Sequence, residues 1–294
     1  MPTSTKTRRA KGQKRSGAAP SKKGRKKDRR LNAKNADRYD LYQRSVNSPE
    51  TDVDFLRETY VSIRNKQPHH LREDFCGTAL LAAEWIKQGT EYTVEGFDLD
   101  PEPIEWGKRN NFASLGDDAE RMTWHLKDVR SLSDRRPDIC TAQNFSYCCL
   151  TERTLLKEYF EKVYEDLSDE GIFVMDLYGG PDAITEMEEV RDIAPGVEYV
   201  WDQVEYKPAT AAYSCAIHFR FQDGSEMRNA FQYEWRLWNM AELKDLLIEV
   251  GFKTADSYFE GTDEDDPEEG NGVFEQDDVG ENIDAWIAYI VSAK

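Results

Sequence analysis

From about Asp37 onward the chain alternates apolar runs with amphipathic stretches. Val53, Leu56, Tyr60 and Ile63 recur at helical spacing behind Ser48-Pro49-Glu50, a helix start. His70–Asp74 then reads as a short strand leading into Phe75-Cys76-Gly77-Thr78, with a helix over 79–88. Thr93–Asp98 is a strand ending in an acid, and 103–111 a helix. A third strand, 123–126, is followed by another acid, Asp128. A fourth covers 139–145 and precedes a helix over 152–167. The fifth, 171–177, is nearly all apolar, as a strand buried on both faces should be. Strand and helix in strict alternation predict a parallel sheet covered by helices.

After this the rhythm changes. Segments 197–206, 212–221 and 226–236 read as antiparallel strands, with Asp223-Gly224 as a hairpin turn. A helix over 240–250 returns and stops at Gly251. Segments 253–259 and 284–291 close the chain as strands. Between them, residues 260–284 hold twelve Asp or Glu and no Lys or Arg, which reads as an acidic loop.

Composition sharpens this picture. The 294 residues suit one large domain or two small ones, and 39% apolar with 12% aromatic is enough for a core. The longest apolar run, Ala285–Val291, has seven residues, too few to span a bilayer. No apolar segment follows the N-terminal charges, so no secretory signal is read there. The cysteines, Cys76, Cys140, Cys148, Cys149 and Cys215, are odd in number and form no C-x-x-C pair. A disulfide scaffold and a structural zinc site are thereby disfavoured, and a reducing, cytoplasmic setting is expected. The net charge of −18 is unevenly spread. Residues 1–36 hold fourteen Lys or Arg and one acid, Asp28, a net +13; the remainder carries −31. That arm is too poor in apolar residues to order itself, and it is suited to nucleic acid, a ribosome, an import receptor or, as a solubilising tail, no partner at all.

In an open parallel sheet, ligands sit beyond the carboxyl ends of the strands. Here those ends carry Glu73 and Asp74, then Asp98, then Asp128. Asp98 lies 21 residues after Gly77, the spacing of a backbone turn and a ribose-binding acid. Over about residues 39–294 this arrangement resembles the class I S-adenosylmethionine-dependent methyltransferases. Their first motif, acid-x-Gly-x-Gly-x-Gly, aligns with Glu73-Asp74-Phe75-Cys76-Gly77-Thr78-Ala79; Gly77 stands at the central glycine, Phe75 and Ala79 at the outer two.

The resemblance implies a Rossmann-like α/β fold: a seven-stranded sheet with helices on both faces, an antiparallel β lid at about 197–236 and the basic arm at 1–36. The domain would then be 37–294. It implies S-adenosylmethionine as cofactor. Glu73, Cys76 and Gly77 would form the turn around it, Asp98 would bind the ribose diol, and Leu99 would pack on the adenine. Asp128 would take the adenine amino group, with a backbone contact from Val129. The fourth motif would be Asn144–Tyr147, making Asn144 and Tyr147 the catalytic candidates; Asn-Phe-Ser-Tyr is similar to the Asn-Pro-Pro-Tyr of amino methyltransferases. Tyr39, Tyr42 and Arg44 would begin a helix capping the cofactor. The same turn lacks two glycines of the dinucleotide fingerprint G-x-G-x-x-G, which separates it from a dehydrogenase.

Other residues carry two readings each. Asp176 is a base or a structural acid, and His218 a base or a partly exposed lid residue. His69 and His70 read as structural. No metal-ligand spacing is present, and the stretch from Asp263 has Pro267 and Glu268 where a calcium loop needs a ligand and a glycine. Aromatics of the insert, among them Trp201, Tyr213, Tyr233 and Trp235, form core or line a pocket for an amine. The expected activity is methyl transfer to a small or medium-sized acceptor, with no membrane partner. Two rivals are a nucleic-acid or ribosome methyltransferase guided by the arm, and a non-catalytic binding protein on the same fold.

Overall fold

In a computed structural model of the chain, the described residues are 31–262 and 270–294. Most of the basic arm (1–30) and the stretch from Asp263, considered above for calcium, lie outside them.

The chain starts with helices α1 (Arg38–Val46) and α2 (Pro49–Arg64). It continues through β1 (His70–Asp74), α3 (Leu80–Ile86), β2 (Thr93–Asp98), α4 (Pro101–Gly107), β3 (Met122–Leu126), β4 (Ile139–Ala142), α5 (Arg153–Asp166) and β5 (Ile172–Gly179). Four antiparallel strands follow: β6 (Glu188–Ala194), β7 (Val197–Lys207), β8 (Ala212–Phe221) and β9 (Glu226–Arg236). Helix α6 (Met240–Val250) leads to β10 (Asp256–Thr262), β11 (Gly270–Gln276) and β12 (Trp286–Ala293).

The main sheet has eight strands in the order β11-β10-β12-β5-β4-β1-β2-β3. From β3 to β5 all pairings are parallel, whereas β12 runs antiparallel to both β5 and β10. The strand order reverses between β1 and β4, so the crevice that receives ligands opens beyond their carboxyl ends.

Helix faces explain how the sheet is covered. On α2, Val53, Leu56 and Tyr60 are fully buried, forming a single stripe against β1, β2 and α3. Burying such side chains contributes about 1.5–3 kcal/mol each. The opposite sheet face packs under α5 (Leu156, Tyr159, Phe160, Val163) and α6 (Leu243, Leu246, Leu247). Helix α6 has the bounds read from sequence because both ends are specified locally, by an Asn239–Glu242 capping box and by Gly251 at φ 123°.

Three expectations are corrected. The lid has four strands, not three; β6 pairs with β7 but is charge-rich, which hid its alternation. The acidic segment is not simply a loop: β11 pairs antiparallel with β10 and adds an eighth strand to the expected seven. Phe274 anchors it, with its ring centroid 4.5 Å from that of Tyr289 and 5.6 Å from that of Phe55. Acids on such an edge strand discourage pairing with another chain. Lastly, residues 31–36 are joined to the lid: the Ala33 N–H donates to Ser225 Oγ at 3.0 Å, and Leu31, Ala33 and Ala36 pack against the apolar cluster that includes Val197 and Phe219.

Candidate active site at the carboxyl edge of the sheet

Backbone strain is concentrated where the strand order reverses. Among the described residues, seven non-glycine residues have left-handed φ, and four of them lie just past β1 or β4. After β1, Phe75 (φ 54°), Gly77 (φ 50°) and Ala79 (φ 51°) alternate with ordinary residues. These are the three glycine positions of the motif, so the backbone keeps the glycine conformation even where Phe and Ala occupy it. A side chain in that region costs roughly 1–2 kcal/mol, and such strain persists only where surrounding contacts enforce it. Here the Cys76 N–H donates to the Phe97 carbonyl at 2.9 Å, and the Ala79 N–H to the Cys76 carbonyl at 2.6 Å. The Cys76 side chain is buried against β2, leaving only its backbone for a ligand. A Cβ on Gly77 would meet nothing within 4 Å, so the turn faces open space.

Asp98, at the end of β2, reaches back to this turn. Its Oδ2 accepts from the Gly77 N–H at 2.8 Å and its Oδ1 from the Asp100 N–H at 2.8 Å. Burial nonetheless raises its pKa. Beside it Leu99 is 68% exposed, an uncovered apolar shelf. Glu73 is buried and accepts from the Ala82 N–H at 3.0 Å; burial, then the charges of Asp98, Asp52 and Asp74, push it up to about 8.

The loop after β3 carries Asp128 and Val129. The Asp128 carboxylate accepts from Arg130 Nε at 2.9 Å and Nη2 at 2.8 Å, and these hydrogen bonds lower its pKa. Val129 is buried and its carbonyl accepts from Arg72. Past β4, Asn144 (φ 56°) and Phe145 (φ 58°) are consecutive left-handed residues. Their N–H groups donate to the two oxygens of Asp176, on β5, at 2.8 and 2.9 Å. Burial pushes Asp176 up to about 7 despite these bonds. Tyr147 is 1% exposed, and its hydroxyl donates to the Asp176 carbonyl at 2.9 Å. Its ring is core, so it braces β5 and presents no face for stacking on an acceptor.

Helix α1 closes the edge from above. Gln43 Nε2 donates to Thr78 Oγ1 in the turn at 2.7 Å, while Tyr42 lies with its ring centroid 4.9 Å from that of lid residue Phe231. The Tyr42 hydroxyl is bonded to that of Tyr233, and burial raises its pKa. Arg44, by contrast, is exposed and pairs with Asp40.

No protein-family model matches the sequence and no curated protein does. Solved structures do. An S-adenosylmethionine-dependent methyltransferase from Clostridium acetobutylicum is 19% identical with a TM-score of 0.65, over 86% of this chain and 96% of that one. A methyltransferase from Streptomyces caelestis is 14% identical with a TM-score of 0.62, over 83% and 88%. An amino pentose methyltransferase from Micromonospora echinaspora, solved with its methyl donor bound, is 13% identical with a TM-score of 0.61, over 87% and 95%. The fold is that of the S-adenosylmethionine-dependent methyltransferases.

Within this methyltransferase fold, Glu73, Cys76, Gly77, Asp98 and Leu99 gather around the β1–β2 edge. Asp128 and Val129 flank it, and Asn144 stands at the β4 end. His218 does not join them. It is buried, not partly exposed, and its side chain lies on the other face of the lid from Tyr213 and Trp235. There it lines a cavity of about 330 Å³ with Asp202, Ser214 and Glu234. Its Nδ1 accepts from the Asn229 N–H at 2.8 Å.

Sequence reasoning missed Arg72, which is fully buried. It donates to Asp74 at 2.8 Å, Asp166 at 2.6 Å and the Ser131 carbonyl at 2.9 Å, pinning the loop that carries Asp128 and Val129. A charged residue inside a buried strand was its only signal. The described residues also bring Glu95, His125 and Asp134 within 4.8 Å, close enough to share an ion. The Glu95 oxygens, however, already accept from the Asp134 and Arg135 N–H groups at 2.8 and 2.9 Å. His70 and His125 complete the set, their Nε2 atoms 3.1 and 2.7 Å from the carboxylate. Among the described residues no helix is long and apolar enough to cross a membrane.

Proposed function

We propose that the chain transfers the methyl group of S-adenosylmethionine to a small acceptor. The observation that carries this reading is the turn after β1: three alternating left-handed residues facing open space, with Asp98 tied to its central N–H at 2.8 Å. A fold this size holds two side chains in a strained conformation only for a reason, and close approach of a ligand to backbone is one.

The charges support the same ligand. Glu73 and Asp176 are buried, and the charges acting most strongly on them are other carboxylates. Such a site favours a cation, and the donor carries both an ammonium and a sulfonium. When bound, it supplies an electrophilic methyl carbon. Asp98 would hold the ribose hydroxyls, Leu99 the adenine face, and Asp128 with the Val129 N–H the adenine edge. Arg130 shares the Asp128 oxygens and orients them. Glu73 would face the ammonium. The protein's task is then largely alignment and exclusion of water. The Micromonospora relative's amino pentose is a small acceptor, which agrees with a site enclosed by α1 and the lid.

Calorimetry with S-adenosylmethionine and its demethylated product tests this directly. Micromolar binding is expected; its absence would sink the enzyme reading and promote a binding-protein role. Methyl incorporation into bulk RNA alone, dependent on residues 1–36, would instead favour the nucleic-acid rival.

A further inference from the structure

We infer that the acceptor is a small amine, seated between the aromatic inner face of the lid and Asp176, with Asp176 receiving the proton that the amine sheds. The inference rests on the cofactor reading above and names the substrate class of the same site.

Four observations converge. The first is composition of the walls. Tyr42 comes from α1, Trp201, Tyr213 and Tyr233 from the lid, and Phe145 and Tyr178 from the sheet edge. Ring centroids of Phe145 and Tyr178 are 4.7 Å apart, those of Tyr178 and Tyr213 6.4 Å, and those of Trp201 and Tyr233 6.2 Å. Phe145, Tyr178 and Tyr213 thus form one run of rings and Trp201 with Tyr233 another, and aromatic faces attract ammonium cations at ~0.5–2 kcal/mol each.

The second is the anchored acid. Both Asp176 oxygens are fixed by N–H groups of the left-handed pair Asn144–Phe145, so the strain at that corner positions one carboxylate. Asp176 and Tyr178 are two residues apart on β5 and therefore share a face. The third is placement. Tyr42 of α1 and Tyr233 of the lid are bonded to each other, and Phe145, whose N–H holds Asp176, meets the lid through Tyr178 and Tyr213, so the acid's corner adjoins the lid.

The fourth is the sign of the field. Asp52 is the strongest charge acting on Asp176, and it is another carboxylate. A carboxylate or phosphate acceptor would meet repulsion at this floor. An alcohol would bring no charge to relieve it and would need a far stronger base. An ammonium relieves it and then loses one proton to Asp176. The freed nitrogen lone pair forms the N–CH3 bond as the S–CH3 bond breaks, and that bonding pair returns to sulfur. The product is a methylated ammonium, again a cation for the same rings, and Asp176 passes its proton to solvent.

The test uses the full chain and a pooled panel of small amines with size-matched alcohols, phenols and carboxylates. Labelled S-adenosylmethionine is supplied, and products are identified by mass. Separately, acceptor binding is read from tryptophan fluorescence in the presence of S-adenosylhomocysteine. Methyl products on amines are expected, and amines should bind roughly tenfold or more tighter than matched alcohols. Asp176→Asn should remove that preference, bringing amine binding down to that of the matched alcohols. Should that variant fail to fold, Trp201→Leu should weaken amine binding and spare the cofactor. Products confined to alcohols, phenols or carboxylates would overturn the inference, as would no amine product from a chain that binds the cofactor. A chain that does not bind the cofactor fails at the earlier step, and the two failures are distinct.

Discussion

Glu95 and Glu73 are buried glutamates on neighbouring strands of one sheet, and their surroundings push them in opposite directions. Burial alone would raise Glu95, but donors from His70, Asp134, His125 and Arg135 outweigh it and hold it at about 2. Glu73 has one backbone donor and three neighbouring carboxylates, and is pushed up to about 8. Asp176 follows Glu73, and the buried Arg72 with Asp74 and Asp166 belongs with Glu95 as a paired region. In the paired region each acid meets hydrogen-bond donors or a cation within the chain. At Glu73 and Asp176 the strongest neighbouring charges are carboxylates instead, a complement that a bound cation would supply.

The sharpest way to break the comparison is to unpair the paired region. Arg72→Met leaves Asp74 and Asp166 buried without their cation and should cost about 3–5 kcal/mol in urea unfolding. A loss below about 1 kcal/mol would show that these acids are protonated or solvated instead. On the ligand side, Asp98→Ala should weaken S-adenosylmethionine binding by roughly 1.5–3 kcal/mol, with little change in thermal midpoint. Equal affinity in parent and variant by calorimetry would remove Asp98 from the ribose role.

Protons separate the regions next. Glu73 and Asp176 hold protons in the folded chain up to about 8 and about 7, above their ordinary 4.5 and 3.8. Between those limits the unfolded chain has lost its protons, so these two groups reduce stability as pH rises. Glu95 does the reverse: its contribution is present above its ordinary 4.5 and is lost as pH falls toward 2. A bound cation should lower the raised pair and expel protons. Calorimetry in buffers of different ionisation enthalpy near pH 6.5 should detect release of roughly half a proton or more per cofactor bound. Glu73→Gln should abolish most of it; uptake in the parent would contradict the unpaired reading.

Smaller effects probe the turn and the arm. Ala79→Gly relieves a left-handed residue at ~1–2 kcal/mol but forfeits about 0.8 kcal/mol of methyl burial, so a neutral to slightly stabilising change is expected. A loss near 2 kcal/mol or more would show that Ala79 is not strained. Deleting residues 1–30 should move the thermal midpoint by less than about 2 °C and remove any salt-dependent polyanion binding. A large fall would make the arm part of the fold.

The strands and helices that could be read from residues alone were those with local instructions. Segments 70–74, 93–98 and 240–250 were anticipated with their bounds intact, because apolar period and capping residues are adjacent in sequence. Edge strands β6 and β11 were not, since half-exposed, charge-rich strands take their identity from the partner they pair with. The acids of the site were visible as strand ends, but Arg72, the Asp176 anchor and the burial of Tyr147 and His218 were not.

What the sequence determined by itself was the alternating α/β plan and the series of acids at one sheet edge. Both follow from periodicity and from the rule that parallel strands present their carboxyl ends together. Only the tertiary structure decided which acids are paired. Glu73 and Glu95 are 22 residues apart in a similar pattern, yet the partners that separate them are His125, Asp134 and Arg135 for one and Asp52 and Asp98 for the other. Those partners lie at long sequence separation, and a carboxylate's charge state depends on what surrounds it in space. The same holds for the turn: Phe75 and Ala79 read as departures from a glycine motif, and only the folded backbone shows that the left-handed conformation was kept.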